Sequence, residues 1–191
     1  DAIEDEAKQG ALLFLQDPQE GGFACANCHA GDKFTNETFF NVGFPQIGRG
    51  FHFADKHDMG RWLATRKAED KFAVRVPGLL NVALTAPYGH AGTFATLDEL
   101  IRYHTNPRAG VDRFDFTLQQ LDQFKGTGIT YPHAEPYTRE AIADDSMMQA
   151  EPQLPGRDLS SEQIQQLIAF LTALTDDCAA TSACRSAWTP D

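Results

Sequence analysis

The sequence predicts an all-α fold with long loops and one irregular insertion, and three observations carry that expectation. Apolar residues recur at helical spacing in three separate stretches. Two of those stretches open with a capping signature. Elsewhere the chain is rich in Gly, Pro and aromatic residues, with no run that alternates as a half-buried strand does.

The first stretch is residues 4–16, where Ala7, Gly10, Ala11, Phe14 and Leu15 share one face. Gly10 leaves a notch through which another helix can cross closely. The sequence Asp17-Pro18-Gln19-Glu20-Gly21-Gly22 ends this helix in a loop. The second stretch begins at Thr96, which pairs with Glu99 as a capping box and is followed by Leu97, Leu100, Ile101 and His104 on one side. Pro107 is expected to stop it. The third runs from Ser160, with Gln163 as its capping partner, to about Thr175. Ile164, Leu167, Ile168, Leu171 and Leu174 form its buried stripe, with Phe170 beside it. First and last helices should therefore cross near Gly10, around Phe14, Phe170 and Leu171.

The remaining segments read as loop. Residues 31–59 carry Phe34, Phe39, Phe40, Phe44, Phe51 and Phe53. These either wrap a flat apolar surface or pack a small core of their own. Residues 105–158 form the irregular insertion, broken by Pro107, Pro132, Pro136, Pro152 and Pro155, with Leu118, Leu121 and Phe124 marking one short helix. Residues 1–191 read as one domain, of which 159–191 are the C-terminal helix and its tail.

Composition sets the class of molecule. Of 191 residues, 42% are hydrophobic and 23% charged, as in an ordinary soluble globule. No apolar run approaches the roughly 20 residues that span a bilayer. The formal net charge is −11, which repels nucleic acid and anionic membrane and steers a partner bearing a basic patch. Many exported proteins are simply acidic, and that plainer reading stands beside it. The chain opens Asp1-Ala2-Ile3-Glu4-Asp5-Glu6, without a basic segment or apolar run, as expected of a mature, processed product or of a trimmed chain.

Cys25-Ala26-Asn27-Cys28-His29 is the sequence's strongest chemical signal. In a C-x-x-C-H run the two thiols reach the vinyl groups on one porphyrin edge, and the histidine that follows sits under the iron. This predicts one covalent haem c, with His29 as an axial ligand, in a cytochrome c-like fold. The rival readings are a redox C-x-x-C, which wants a βαβ context, and half of a zinc site, which wants a second ligand pair. Cys178 and Cys184 lie too far apart in the tail to supply that pair, with five residues between them. They read instead as a disulfide staple, whose loop closure contributes about 2 kcal/mol. Such pairing suits an oxidising, periplasmic or otherwise exported compartment.

The sixth iron ligand has several candidates: His52, His57, Met59, His90, His104, His133, Met147 and Met148. Met59 stands in a polar turn, and Met147 and Met148 follow Asp144-Asp145-Ser146 in an exposed loop. His104 leads on pattern, because it shares the apolar helical face.

The order of motifs resembles the bacterial di-haem cytochrome c peroxidase and MauG-like family. The likeness is carried by Asp58-Met59-Gly60-Arg61-Trp62 and by the run from Phe72-Ala73-Val74-Arg75-Val76-Pro77 through Asn81-Val82-Ala83-Leu84-Thr85-Ala86-Pro87-Tyr88-Gly89-His90-Ala91-Gly92. It implies the family's C-terminal, electron-transfer haem domain only, since no second C-x-x-C-H is present. In that family the distal ligand is Met or Tyr, fourteen residues after the His of the second motif. Counting from His90 gives His104, so the resemblance and the helical pattern meet on one residue and imply bis-histidine ligation. The resemblance also places Arg61 and Arg75 near haem propionates, unless each is an ordinary surface ion pair, and lets Tyr88 and His90 line the pocket, with a structural hydrogen bond the readier role for His90. The family's Leu-Arg-Asn is Leu79-Leu80-Asn81 here, so one basic residue is missing. No calcium site is assigned to this chain.

Three functions follow. The first is a mono-haem cytochrome passing single electrons to a redox partner. The second is a cytochrome c peroxidase, alone or as half of a di-haem enzyme, with Glu37, His52 and His57 in the loop that would supply acid and base groups. The third is a haem-based sensor, for which the sequence offers no specific sign.

Overall fold

A computed structural model describes residues 3–48, 58–144 and 154–181. The chain forms two compact units. The first comprises Asp1–Asn36, Pro77–Ala86 and Ser160–Asp191, and the second Glu37–Val76 and Pro87–Leu159.

The first unit is built on two helices. Helix α1 spans Asp5–Leu15 and opens with two acidic residues, Asp5 and Glu6, which suit the positive end of the helix dipole. The last long helix, α6, spans Ser161–Ala173 and is fixed by the expected capping box. Ser160 Oγ accepts the Gln163 amide at 3.1 Å, and Gln163 Oε1 accepts the Ser160 amide at 3.0 Å. The two helices cross at Gly10, where a methyl group would overlap the Gln166 carbonyl. Phe14 packs on Phe170 at 5.1 Å and on Phe34 at 6.0 Å, and Ala7, Ile164 and Leu167 are buried beside them. A short helix, α7 (Asp177–Ala180), follows and is capped by Asp176 Oδ1. It carries Cys178, while Cys184 lies outside the described residues.

The second unit holds α2 (Trp62–Thr65), α3 (Leu97–Thr105), α4 (Pro107–Arg113) and α5 (Ala134–Ala143). It also holds an antiparallel two-stranded ladder, β1 (Phe39–Phe40) with β2 (Val74–Arg75), which no sequence alternation announced. Helix α3 starts on the expected Thr96–Glu99 capping box. It buries Leu97, Ile101, Tyr103 and Thr105 and leaves Leu100 and His104 half-buried.

Residues 105–158 depart from their sequence reading in two ways. Pro107 does end α3, but it also opens α4 at the first helical position, where its missing amide costs nothing. Pro136 likewise falls in the first turn of α5. The short helix expected at Leu118, Leu121 and Phe124 is a run of turns, because Leu118 takes a left-handed φ of 58°. Leu118 and Leu121 are still fully buried, so the apolar signal reported burial and not helix. Among the described residues, no helix is long and apolar enough to cross a membrane.

Candidate haem-attachment site

Cys25–Asn27 make a single 3-10 turn, entered through Ala24 in the left-handed region. The turn hangs from the end of α1, whose last carbonyls need partners. Phe23 donates its amide to Leu13 O at 2.7 Å, and Ala24 donates to Gln16 O at 2.9 Å. The His29 amide then closes on Cys25 O at 2.8 Å, so the two cysteines and the histidine leave one compact loop.

The His29 ring is fixed by two acceptors. Its Nδ1 lies 3.2 Å from Phe34 O and 3.2 Å from Pro77 O. A carbonyl can only accept, so Nδ1 carries the proton and Nε2 keeps its lone pair. That is the tautomer a metal-binding histidine needs. Burial also lowers the pKa of His29 and holds the ring neutral, against the opposing pull of the two carbonyls.

Both thiols are unbridged. Burial pushes the Cys25 thiol up to about 12, and burial raises Cys28 as well. A redox C-x-x-C works the other way, through a depressed thiol pKa. Among the described residues no group of three or more His, Cys, Asp and Glu side chains could hold a metal ion. Two neutral thiols and one imidazole with a bare Nε2 are the donors that haem c takes, and the residues fit that group.

The second unit carries the remaining expected residues. His104 stacks on Phe44, ring centroids 5.4 Å apart and planes 14° from parallel. Its neighbour Tyr103 donates its hydroxyl to Gly43 O at 2.7 Å and is buried against Phe94 at 5.1 Å; burial raises its pKa. Tyr88 and Phe94 exchange both backbone hydrogen bonds, at 2.7 and 3.1 Å, closing a tight loop through Gly89 and Gly92. That loop presents His90, whose Nε2 donates to Asp58 Oδ2 at 2.7 Å. Asp58, the partner of His90, was not singled out in the sequence although it opens the Asp-Met-Gly-Arg block.

The two arginines stand in ion pairs. Arg61 Nε lies 3.4 Å from Asp70 Oδ1, with the guanidinium 4.3 Å above the Phe39 ring. Arg75 approaches Glu37 at 3.9 Å, both well exposed. His133 stacks on Tyr137 at the start of α5. His52, His57, Met147 and Met148 lie outside the described residues.

No protein-family profile matches the chain. Its curated relatives include the cytochrome c peroxidase Ccp of Escherichia coli, 36% identical over 136 residues, which are 68% of this chain and 27% of that protein. The cytochrome-c peroxidase IdrP1 of Denitromonas iodatirespirans is 27% identical over 181 residues, covering 81% of this chain and 45% of the relative. The chain belongs to the bacterial cytochrome c peroxidase and MauG-like family. The methylamine utilization protein MauG of Methylorubrum extorquens is a further relative, 26% identical over 106 residues (54% of this chain, 26% of MauG). The chain spans less than half the length of each of these peroxidase-family relatives.

Solved structures agree on the fold. A MauG-like protein associated with microbial copper homeostasis superposes with a TM-score of 0.60 at 24% identity, over 95% of this chain and 50% of that one. A variant of the diheme peroxidase BthA from Burkholderia thailandensis gives 0.56 at 20% identity, over 95% and 45%. The peroxidase-family fold is thus a mostly helical, cytochrome c-like one.

Proposed function

We propose that this chain carries one haem c, bonded through Cys25 and Cys28 and ligated by His29, and serves hydrogen peroxide reduction as the electron-delivering half of a cytochrome c peroxidase. The observation that carries the reading is the His29 ring, held by two carbonyls in the tautomer that leaves Nε2 for iron.

The haem, when bound, supplies a one-electron couple. The chain's own residues do the rest. Cys25 and Cys28 bond the group, so it is not lost on reduction. Phe34 O and Pro77 O orient His29 and fix its Nδ1–H tautomer, while burial keeps the ring neutral. His104 is the proposed second ligand, by its place fourteen residues after His90. Two imidazoles leave no open position for peroxide, which favours electron delivery within the peroxidase family over direct reaction. Arg61 and Arg75 are proposed to meet the haem propionates, and Tyr88 and His90 to border the group. Export to the periplasm, the Cys178–Cys184 staple and a redox partner with a basic patch belong to the same proposal.

The test is the ferric optical and EPR spectrum of the holoprotein, before and after hydrogen peroxide, with haem staining of the denatured chain. Covalent haem with a low-spin spectrum that peroxide leaves unmoved is the expected result. A high-spin component altered by peroxide would move the peroxide reaction into this chain. Absence of covalent haem would overturn the reading altogether.

A further inference from the structure

Of the two carbonyls that orient His29, Phe34 O comes from the turn that follows the cysteines. Thr35 donates to Ala30 O at 2.7 Å and Asn36 to Cys28 O at 3.0 Å, so that turn is tied directly to the attachment loop. Pro77 O follows Val76, whose amide donates to Thr38 O at 2.9 Å. Pro77 begins a strap, residues 77–81, in which Pro77, Gly78 and Leu80 are all exposed. Three of its five residues are exposed, and one backbone hydrogen bond to Lys33 holds its middle. Leu79 donates to Lys33 O at 3.2 Å, and a Cβ at Gly78 would meet the same carbonyl at 2.9 Å.

The far end of the strap is fixed by Asn81. Its backbone is left-handed, with φ 62° and ψ 15°, a region that Asn tolerates better than most side chains. In that pose its amide donates to Leu174 O at 3.1 Å, satisfying a carbonyl just past the end of α6. Its side-chain Oδ1 accepts the Asp176 amide at 2.7 Å. Asp176 in turn caps α7, accepting the Cys178 amide at 2.8 Å and the Ala179 amide at 3.2 Å. The strap backbone therefore joins a hydrogen bond at its start, His29 to Pro77 O, to two at its far end, which link Asn81 to the end of α6 and to Asp176.

We propose that Asn81 is a positioning residue for His29: it clamps the Pro77–Asn81 strap to the end of α6 and so aims the Pro77 carbonyl at the imidazole. The proposal rests on His29 being the haem ligand, and nothing in the sequence motif alone assigns Asn81 this task. Glycine at this position would keep the backbone pose but lose the acceptor. Aspartate would keep both.

The experiment is hydrogen exchange of the His29 ring N–H, read by NMR in reduced holoprotein. Asn81→Gly should speed that exchange roughly tenfold, the size set by one net hydrogen bond. Asn81→Asp should restore most of the protection. Ser160→Ala, which loses the α6 cap without touching the strap, should lower the melting temperature and leave the ring proton protected. Unchanged ring exchange in folded Asn81→Gly would overturn the proposal.

The wild-type protein decides the matter if Asn81→Gly does not fold. Under rising denaturant the Asp176 amide and the His29 ring proton should open together with one slope. A ring proton that stays protected after the Asp176 amide has opened would overturn the clamp. The His29–Pro77 hydrogen bond belongs to the chain, so exchange reports on the clamp, whereas haem staining reports separately on the proposed function.

Discussion

His29 and His90 are held in opposite senses by their acceptors. Two carbonyls take the Nδ1 proton of His29 and leave Nε2 for a metal. At His90 a carboxylate takes the Nε2 proton instead, which turns that nitrogen away from ligation. The contrast gives His90 the structural hydrogen bond expected of it, and His104 remains the proposed sixth ligand. His104→Ala should keep the covalent haem and convert the ferric iron to a high-spin or water-ligated form; an unchanged low-spin EPR spectrum would end the assignment.

The same pairing makes a prediction for acid. The His90 hydrogen bond, followed by the Gly60 amide, holds the Asp58 carboxyl below its usual range, against the opposing effect of burial. A carboxyl lowered in the folded state adds stability that is full above its ordinary pKa of about 3.9 and is lost as pH falls through the folded value. Denaturant midpoints of wild type and His90→Ala should therefore differ at about pH 6 and converge below about pH 4. The gap should not exceed about 1 kcal/mol, because both side chains are more than a third exposed. The cysteines, His29 and His90 were legible because they stand in fixed motifs. Asp58, Phe34 O and Pro77 O were less so, since a contact made by a backbone carbonyl, or across thirty-two residues as between Asp58 and His90, leaves no local spacing to read.

At the scale of elements, the crossing of α1 and α6 depends on an absent side chain. A Cβ at Gly10 would overlap the Gln166 carbonyl and come within 2.9 Å of Phe170 Cβ. Backbone atoms cannot step aside as a flexible side chain can, so the helices would have to separate. Gly10→Ala should cost at least about 2 kcal/mol, within the range for overpacked cores, and a thermal melt within a degree or so of wild type would contradict that packing. The helices were readable where capping and apolar period agreed, at Thr96 and Ser160. They were hidden where proline serves as a starter, at Pro107 and Pro136, since the same residue signals a stop. The β1–β2 ladder is only two residues long on each side, too short for alternation to register.

The whole chain bears a formal charge of −11, and the ion pairs leave it unchanged, because each joins one cation to one anion already counted in that sum. Such a field is long-ranged at low salt and short-ranged at high salt, the screening length falling from about 10 Å at 0.1 M to about 3 Å at 1 M. In the proposed role this domain would meet its donor by diffusion, and an acidic surface hastens the approach of a basic one. Reduction of the holoprotein by a small basic cytochrome should therefore slow by at least about tenfold between low salt and 1 M salt. An acidic donor should show the reverse trend, its rate rising as repulsion is screened. A rate that ignores salt with both donors would mean that contact is made through uncharged surface, and the net charge would then serve solubility alone.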